Sequence, residues 1–499
     1  MIQINEANLA SLPAELRAPG YNRANVRTGI VHFGVGGFHR AHQAMFVDRL
    51  LRAGADDDWG ICGVGVLEAD VAMKRVMAAQ DCLYTLVLQH PDGRWEPQVI
   101  GSLVQYLYAP DDPEAVIEKL ADPDTRIVSL TVTEGGYNFD QITGEFDAAN
   151  AAIQADLQPG VAPRTVFGLI VAGLRVRRER GVPPFTVMSC DNLPGNGTVA
   201  HRMFVSFARL LDHDLADWVD REVHFPNSMV DRITPVTTDE DRHELAARFG
   251  VEDGWPVVAE PFVQWVLEDD FPLGRPDYQS CGVQMVDDVE PYELMKLRLL
   301  NVSHQGLGYS GYLAGYHYVH DAAQNEVFAD FLRQYMEREA TPTLRPVPGV
   351  DLPAYREELI ERFSNPYVRD TLARLCAEAS DRIPKWLVPV IKQQLGSGGP
   401  VGHSAMIVAS WARYAEGTDE VGAPIQIVDR LADQVHAAAL RFPEDPLSFI
   451  RNESLFGDLA ERVDFTAPYL AALRSLHSVG ALRTLRAIVS DTVDSSVDS

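Results

Sequence analysis

Gly29-Ile-Val-His-Phe33 runs without a break into Gly34-Val35-Gly36-Gly37-Phe38-His39-Arg40-Ala41-His42. A β-rich run thus ends on glycine chemistry and opens into a helical pattern reaching about Leu51. Glycine at 34 permits a tight turn, glycine at 36 lets the backbone approach a pyrophosphate, and the start of a helix favours an anion. His39 stands where the third glycine of a dinucleotide-binding turn usually falls. Arg40, at the helix start, is placed to meet an anion. The strand-turn-helix context makes Gly34, Val35, Gly36, Gly37, Phe38, His39 and Arg40 the expected cofactor-binding segment, and predicts a Rossmann-type α/β domain.

Outward from this turn, Trp59–Val66, Arg126–Thr133 and Phe185–Ser189 read as further strands, each followed by Gly, Asp or Asn turn chemistry. Alternation of such strands with helical patterns is what a mostly parallel sheet requires. An acid at the end of the second strand is expected to hydrogen-bond the adenosine ribose, and Val66-Leu-Glu68-Ala-Asp70 offers two. The reading leans to Asp70 and leaves Glu68 open. Either acid accepts a hydrogen bond from a free 2'-hydroxyl and repels a 2'-phosphate, which favours NAD over NADP.

From about Pro291 the pattern changes to helical stripes. Val327, Phe328, Phe331, Leu332, Tyr335 and Met336 recur at helical spacing after a candidate cap, Asn325. The expected organisation is a nucleotide-binding domain over 1–289, a mainly α-helical domain over 290–489, and a disordered acidic tail over 490–499.

A chain of 499 residues with 46% hydrophobic and 23% charged residues is globular in composition and long enough for two domains. The net charge of -28 repels nucleic acid and anionic membranes. No apolar run approaches the roughly 18 residues a membrane span needs. Met1-Ile-Gln-Ile-Asn-Glu-Ala-Asn has neither the basic start nor the apolar core of an export signal, so a cytoplasmic enzyme is expected. Cys62, Cys82, Cys190, Cys281 and Cys376 form no CxxC pair and read as reduced and mostly buried. No short Cys/His/Glu ligand spacing occurs, which argues against a metal. The oligomeric state stays open, a monomer being compatible with the sequence.

The chemistry is expected in Pro291-Tyr-Glu293-Leu-Met-Lys296-Leu-Arg-Leu-Leu-Asn301-Val-Ser-His304. Proline after Asp287 and Asp288 is a good helix start. On an α-helix, Lys296, His304 and Asn301 fall at roughly 0°, 80° and 140°, with Leu297 and Leu300 on the same arc at roughly 100° and 40°. A buried face of this kind holds polar groups that need partners or a ligand. A lysine, an amide and an imidazole supply a base, an oxyanion donor and an orienting group for alcohol–carbonyl interconversion.

Several stretches in order resemble the mannitol dehydrogenase family of polyol-specific long-chain dehydrogenases: GVGGFHRAHQA, TVTEGGY at 131–137, SCDNLPGNG at 189–197, FPNSMVDRITP at 225–235, PFVQWVLED at 261–269, and the Lys296 helix. The resemblance runs nearly end to end. It implies that Lys296 is the general base and that Asn192 and Asn301 hold the developing alkoxide. It implies that His304, Asp231 and Arg374 bind substrate hydroxyls, that Glu293 passes the proton toward solvent, and that Glu134 lies near the same route. Position 382 departs from the pattern, being Arg382 where the family carries lysine, which changes reach and geometry. The implied reaction is the metal-independent, NAD-dependent interconversion of D-mannitol and D-fructose. D-arabinitol, or a hexuronate ketone such as fructuronate, is the alternative substrate within the family, Arg374 and Arg382 leaving room for a carboxylate. A dinucleotide-binding regulator without catalysis is disfavoured by the intact Lys296, Asn301 and His304 set.

Overall fold

The computed structural model describes residues 1–54, 57–140 and 143–497. The chain divides into two compact units, Met1–Glu290 and Pro291–Ser499.

The first unit is built on five parallel strands: β1 (Thr28–Phe33), β2 (Gly60–Gly65), β3 (Leu103–Tyr108), β4 (Ile127–Leu130) and β5 (Thr186–Ser189), in the order β3-β2-β1-β4-β5. The order reverses at β1, so the turn after β1 lies at the switch point where α/β sheets bind ligands. Side chains alternate across the sheet. Ile30, Ile61, Ile127 and Met188 enter one core, with Ala44, Met45 and Phe46 of the helix Gln43–Arg52. Val31, Phe33, Cys62, Val64, Val128, Leu130 and Val187 enter the other, with Phe167, Ile170 and Leu174 of Val166–Arg180 and Phe204 and Phe207 of Asn196–Leu211. Burial on both faces explains why these strands read as continuous apolar runs. Two three-stranded sheets were not foreseen from the sequence. In one, Tyr84–Gln89 lies between Trp95–Ile100 and Val257–Ala259. In the other, Gln264–Glu268 lies between Ser228–Asp231 and Gln284–Val286.

The second unit is helical. Glu290–Met295 begins with Asp288 accepting the Glu290 N–H at 2.9 Å, as the acids before Pro291 lead one to expect. The Asn325 side chain accepts from Val327 N–H at 3.0 Å and starts Glu326–Tyr335, whose Phe328, Phe331, Leu332 and Tyr335 are buried. Such a cap stabilises by about 1 kcal/mol. The helix Val302–Leu313 carries Gly306, Gly308 and Gly311. A Cβ at Gly311 would lie 3.0 Å from Leu372 Cδ1, one at Gly308 3.3 Å from Cys376 Sγ, and one at Gly306 3.2 Å from Leu332 Cδ2. Absent side chains therefore let the helix Leu372–Cys376 sit directly on Val302–Leu313. The helix Ala481–Val497, anchored by buried Ala481, Thr484 and Leu485, extends into the stretch expected to be a disordered tail. A helix already nucleated adds one hydrogen bond per residue, which carries it into polar sequence. Residues 498 and 499 of that expected tail lie outside the described residues. Among the described residues, no helix is long and apolar enough to cross a membrane.

Candidate active site

In the first unit, β1 ends at Phe33 and the chain turns sharply at Gly34, whose φ is +91°. A Cβ there would stand 2.0 Å from the Thr131 carbonyl oxygen, so the left-handed backbone and the close approach to the end of β4 both require glycine. Gly36 is exposed, and a Cβ on it would meet only the Gly34 oxygen at 3.9 Å. This leaves bare backbone open to a ligand. The following helix is shorter than its sequence pattern suggests: Gly37–Ala41 ends at His42, whose φ and ψ of -120° and -96° break it from Gln43–Arg52.

His39 and Arg40 are both buried, which revises the expectation for each. The His39 ring stacks on His32 at 3.4 Å between centroids and 12° between planes, and among the described residues neither ring nitrogen of His39 has a hydrogen-bond partner. His32 in turn reaches Ser129 Oγ at 2.8 Å and Thr131 Oγ1 at 2.9 Å. Burial holds His39 well below its ordinary pKa and pulls His32 down to about 3, so both are neutral. Arg40 donates to the carbonyl oxygens of Gly36, at 3.3 Å, and of Trp255, and lies over the Tyr84 ring. These contacts fasten the turn to the 253–256 loop; they are not the anion contact expected of it.

The two acids after β2 differ. Asp70 Oδ2 accepts the N–H groups of Val66 and Leu67 at 2.8 and 2.9 Å, closing the turn from inside. Glu68 is exposed, its backbone carbonyl accepting from the Tyr108 hydroxyl at 3.2 Å. Asp70 is thus engaged with the backbone of its own turn, and Glu68 is the more exposed of the two acids.

Asn192 follows β5. Asp191, its neighbour, is buried, with Oδ1 accepting Thr133 N–H at 2.9 Å and Oδ2 accepting Val132 N–H at 3.0 Å and the Tyr137 hydroxyl at 2.8 Å. Burial raises the Asp191 carboxyl above its ordinary value, against the pull of these donors. Thr133 has a φ of +64°, a left-handed conformation costing a β-branched residue about 1–3 kcal/mol. Glu134 comes next and is exposed. The fully buried Asn196 amide donates to the Asp191 and Ser228 carbonyls at 3.0 and 2.8 Å and accepts Ser228 N–H at 2.9 Å. It thereby joins the Asn192 segment to the strand Ser228–Asp231, which ends on buried Asp231. Arg232 donates to Glu260 O at 2.8 and 2.9 Å and to Ala41 O at 2.6 Å, and burial lowers it to about 9. Asp231 and Arg232 thus divide the motif, the arginine tying this strand to the helix after the phosphate-type turn.

In the second unit, Lys296–Asn301 is a π-helical turn between two α-helical segments, with Val302 N–H donating to Leu297 O five residues back. This corrects the angles expected for a regular α-helix. At roughly 80° per residue through the wider turn, Asn301 comes to roughly 40° from Lys296, and His304 to roughly 20° on its other side. The three side chains share a narrower face than the roughly 140° first expected. Lys296 and Asn301 are buried; Glu293 and His304 are half-buried, the His304 ring 4.7 Å from Phe363. On the adjoining helix, exposed Arg374 pairs with Asp370, four residues back, its Nε donating at 2.5 Å. Arg382 donates to Leu375 O at 3.2 Å, an oxygen that also accepts from Gln305 Nε2 at 3.2 Å. Gln305 follows His304, so Arg382 is held to the backbone beside Arg374 and linked to the Lys296 helix.

Asp191, Tyr137, Asn196, Arg232 and Asp370 did not stand out as site-builders in the sequence. Only the four-residue spacing of Asp370 and Arg374 carries a local signal. Among the described residues, no group of three or more His, Cys, Asp or Glu is arranged to hold a metal ion.

Residues 28–280 match the family model described as the mannitol dehydrogenase Rossmann domain, and 288–477 the mannitol dehydrogenase C-terminal domain. Mannitol 2-dehydrogenase of Aspergillus fumigatus is 45% identical over 495 residues, covering 97% of this chain and 98% of its own. The Pseudomonas fluorescens mannitol 2-dehydrogenase, solved in ternary complex with NAD and D-mannitol, is 44% identical with a TM-score of 0.85, covering 98% of this chain and all of its own. A D-sorbitol dehydrogenase solved in substrate-free form is 38% identical with a TM-score of 0.90, covering 97% of this chain and all of its own.

Proposed function

The chain belongs to the mannitol dehydrogenase family, and on that premise we propose that it interconverts D-mannitol and D-fructose with NAD. The observation that carries the reading is the likeness, over essentially the whole chain, to an enzyme held with NAD and D-mannitol. The first unit fits a dinucleotide: exposed Gly36 leaves room for a pyrophosphate against backbone, and exposed Glu68 is available to a ribose 2'-hydroxyl. When bound, NAD supplies the hydride acceptor.

The protein's own part is the proton and the alkoxide. Neutral Lys296 removes the hydroxyl proton, and in ketose reduction its ammonium returns it. The amides of Asn192 and Asn301 donate to the oxygen as negative charge develops, doing without a metal what a Lewis acid does elsewhere. His304, Asp231 and Arg374 orient the remaining hydroxyls. Arg382 supports Arg374 through the Leu375 carbonyl and takes the place of the family's lysine. Glu293, one turn before Lys296, carries the released proton toward solvent, and Glu134 is an acid near the same route.

A second reading, D-sorbitol as the polyol, is favoured by the D-sorbitol dehydrogenase likeness. Its oxidation at C2 yields the same ketose. A panel of sugar alcohols and ketoses followed by NADH absorbance tests both. The expected result is highest kcat/KM for D-mannitol and D-fructose with NAD. Preference for D-sorbitol selects the second reading, preference for fructuronate moves the enzyme to uronate chemistry, and absence of turnover with every polyol overturns both readings.

A further inference from the structure

Asp191 presents a chemical oddity. It is buried at 8% exposure, its carboxylate engaged with a segment far back in sequence and its backbone carbonyl with the chain just ahead. Oδ1 takes the N–H of Thr133, and Oδ2 takes Val132 N–H and the Tyr137 hydroxyl, so the carboxylate holds the turn that carries Glu134. Tyr137 also meets Ser189 Oγ, at 2.5 Å, at the end of β5. The Asp191 carbonyl accepts from Leu193 N–H at 2.9 Å and from the Asn196 amide at 3.0 Å, which closes the chain tightly around Asn192. Thr133 is the residue whose left-handed φ needs outside support, and Asp191 accepts its N–H directly.

We propose that Asp191 is a positioning residue for the reaction: its carboxylate sets the Asn192 amide in register with the Val132–Glu134 turn, and the Asn196 amide extends that register to Asp231. The proposal rests on Asn192 being a donor to the alkoxide. Asp191 itself acts through its neighbours. A residue that merely fills the core would change stability and leave the effect of Asn192 on turnover untouched, whereas a residue that positions Asn192 loses its influence once that amide is gone.

The test is a double-mutant cycle on the full-length enzyme. Asp191→Asn preserves shape but places an amide N–H against donors that need an acceptor. It should lower kcat for D-mannitol at least about tenfold and leave the Kd for NADH, read by fluorescence titration, within about twofold. In an Asn192→Ala background the same substitution should change kcat by less than about threefold. If Asn192→Ala is slow and the Asp191→Asn effect simply multiplies onto it, Asp191 is structural and the proposal falls alone. If Asn192→Ala keeps near-native kcat, the reading of Asn192 falls and the proposal with it. Should Asp191→Asn fail to fold, Tyr137→Phe, which removes one O–H from the same carboxylate, runs the same cycle. Coupling there supports the proposal, and independent effects or near-native kcat overturn it.

Discussion

Val302 N–H donates to Leu297 O, a five-residue step at the centre of the helix that carries Lys296. That step gathers Lys296, Asn301 and His304 on one face, and an added residue within it should separate them. Inserting one alanine between Leu300 and Asn301 adds one further step and turns Asn301 and His304 by roughly 100° relative to Lys296. The expected result is a folded protein, by circular dichroism, that still binds NADH but oxidises D-mannitol at least about 10²-fold more slowly. A folded insertion variant with near-native kcat would show that the angular register of the π-turn has no part in the chemistry.

Lys296→Ala should lower kcat by about 10²- to 10⁴-fold, the usual contribution of a positioned general base, with NADH binding little changed. In the native enzyme oxidation should rise with pH as one group loses its proton, and ketose reduction should fall over a comparable range. Added primary amines should restore part of the oxidation rate in the alanine variant. An alanine variant that keeps the native pH profile would move the base elsewhere, with His304 next to be tried.

Turnover should survive exhaustive chelation, because two amides, Asn192 and Asn301, are proposed to meet the alkoxide. Loss of activity with EDTA and its return with zinc would refute that arrangement. Asn301→Ala should slow oxidation by about 10²- to 10³-fold, as when one oxyanion donor is removed, while the pH dependence stays.

Glu68 and Asp70 should separate in their effects. Glu68→Gln should raise kcat/KM for NADP relative to NAD, since it removes the negative charge facing a 2'-phosphate. Asp70→Ala leaves the N–H groups of Val66 and Leu67 without their acceptor. It should lower stability by about 1 kcal/mol, on the scale of a lost cap, and weaken both cofactors alike. Relaxed preference in Asp70→Ala with unchanged preference in Glu68→Gln would reverse the assignment.

His32 and His39 make the first unit acid-sensitive. Both sit below their ordinary pKa in the native state, His32 at about 3, so the unfolded chain takes up protons that the native fold refuses. Stability contributed at neutral pH is lost as pH falls below about 6.5, by about 1.4 kcal/mol per pH unit for each histidine, until the native group itself protonates. His39→Phe keeps a ring against His32 and removes two nitrogens that have no partner. Its Tm should fall less steeply between pH 6.5 and 5 than that of the native protein. Equal slopes would mean that His39 accepts its proton without unfolding.

The strands β1, β2, β4 and β5 were legible because a parallel sheet covered on both faces demands apolar runs, and Asn325 because a cap is a local device. The π-turn was not, since the change from a four- to a five-residue hydrogen bond leaves no mark in the spacing of Lys296, Asn301 and His304. Arg40 looked like an anion ligand because nothing nearby reveals that Trp255 supplies its acceptor. That Asp70 accepts the Val66 and Leu67 N–H groups was likewise hidden, since nothing in the sequence fixes their direction. Asp191 and Asn196 lay in plain view within SCDNLPGNG, but their partners, Thr133, Tyr137 and Ser228, come from other segments. Local devices leave local signals, and tertiary hydrogen bonds do not.

Gly306, Gly308 and Gly311 place three weak helix formers within Val302–Leu313, each about 1 kcal/mol less favourable than alanine. Such a segment depends on packing for its helical form, and Leu372, Cys376 and Ile407 lie against its glycines. During synthesis those partners leave the ribosome after the segment they support. A chain truncated just beyond Leu313 should therefore carry a folded nucleotide-binding unit and a Lys296 region open to protease, with protection arriving in chains long enough to include Gly402–Tyr414.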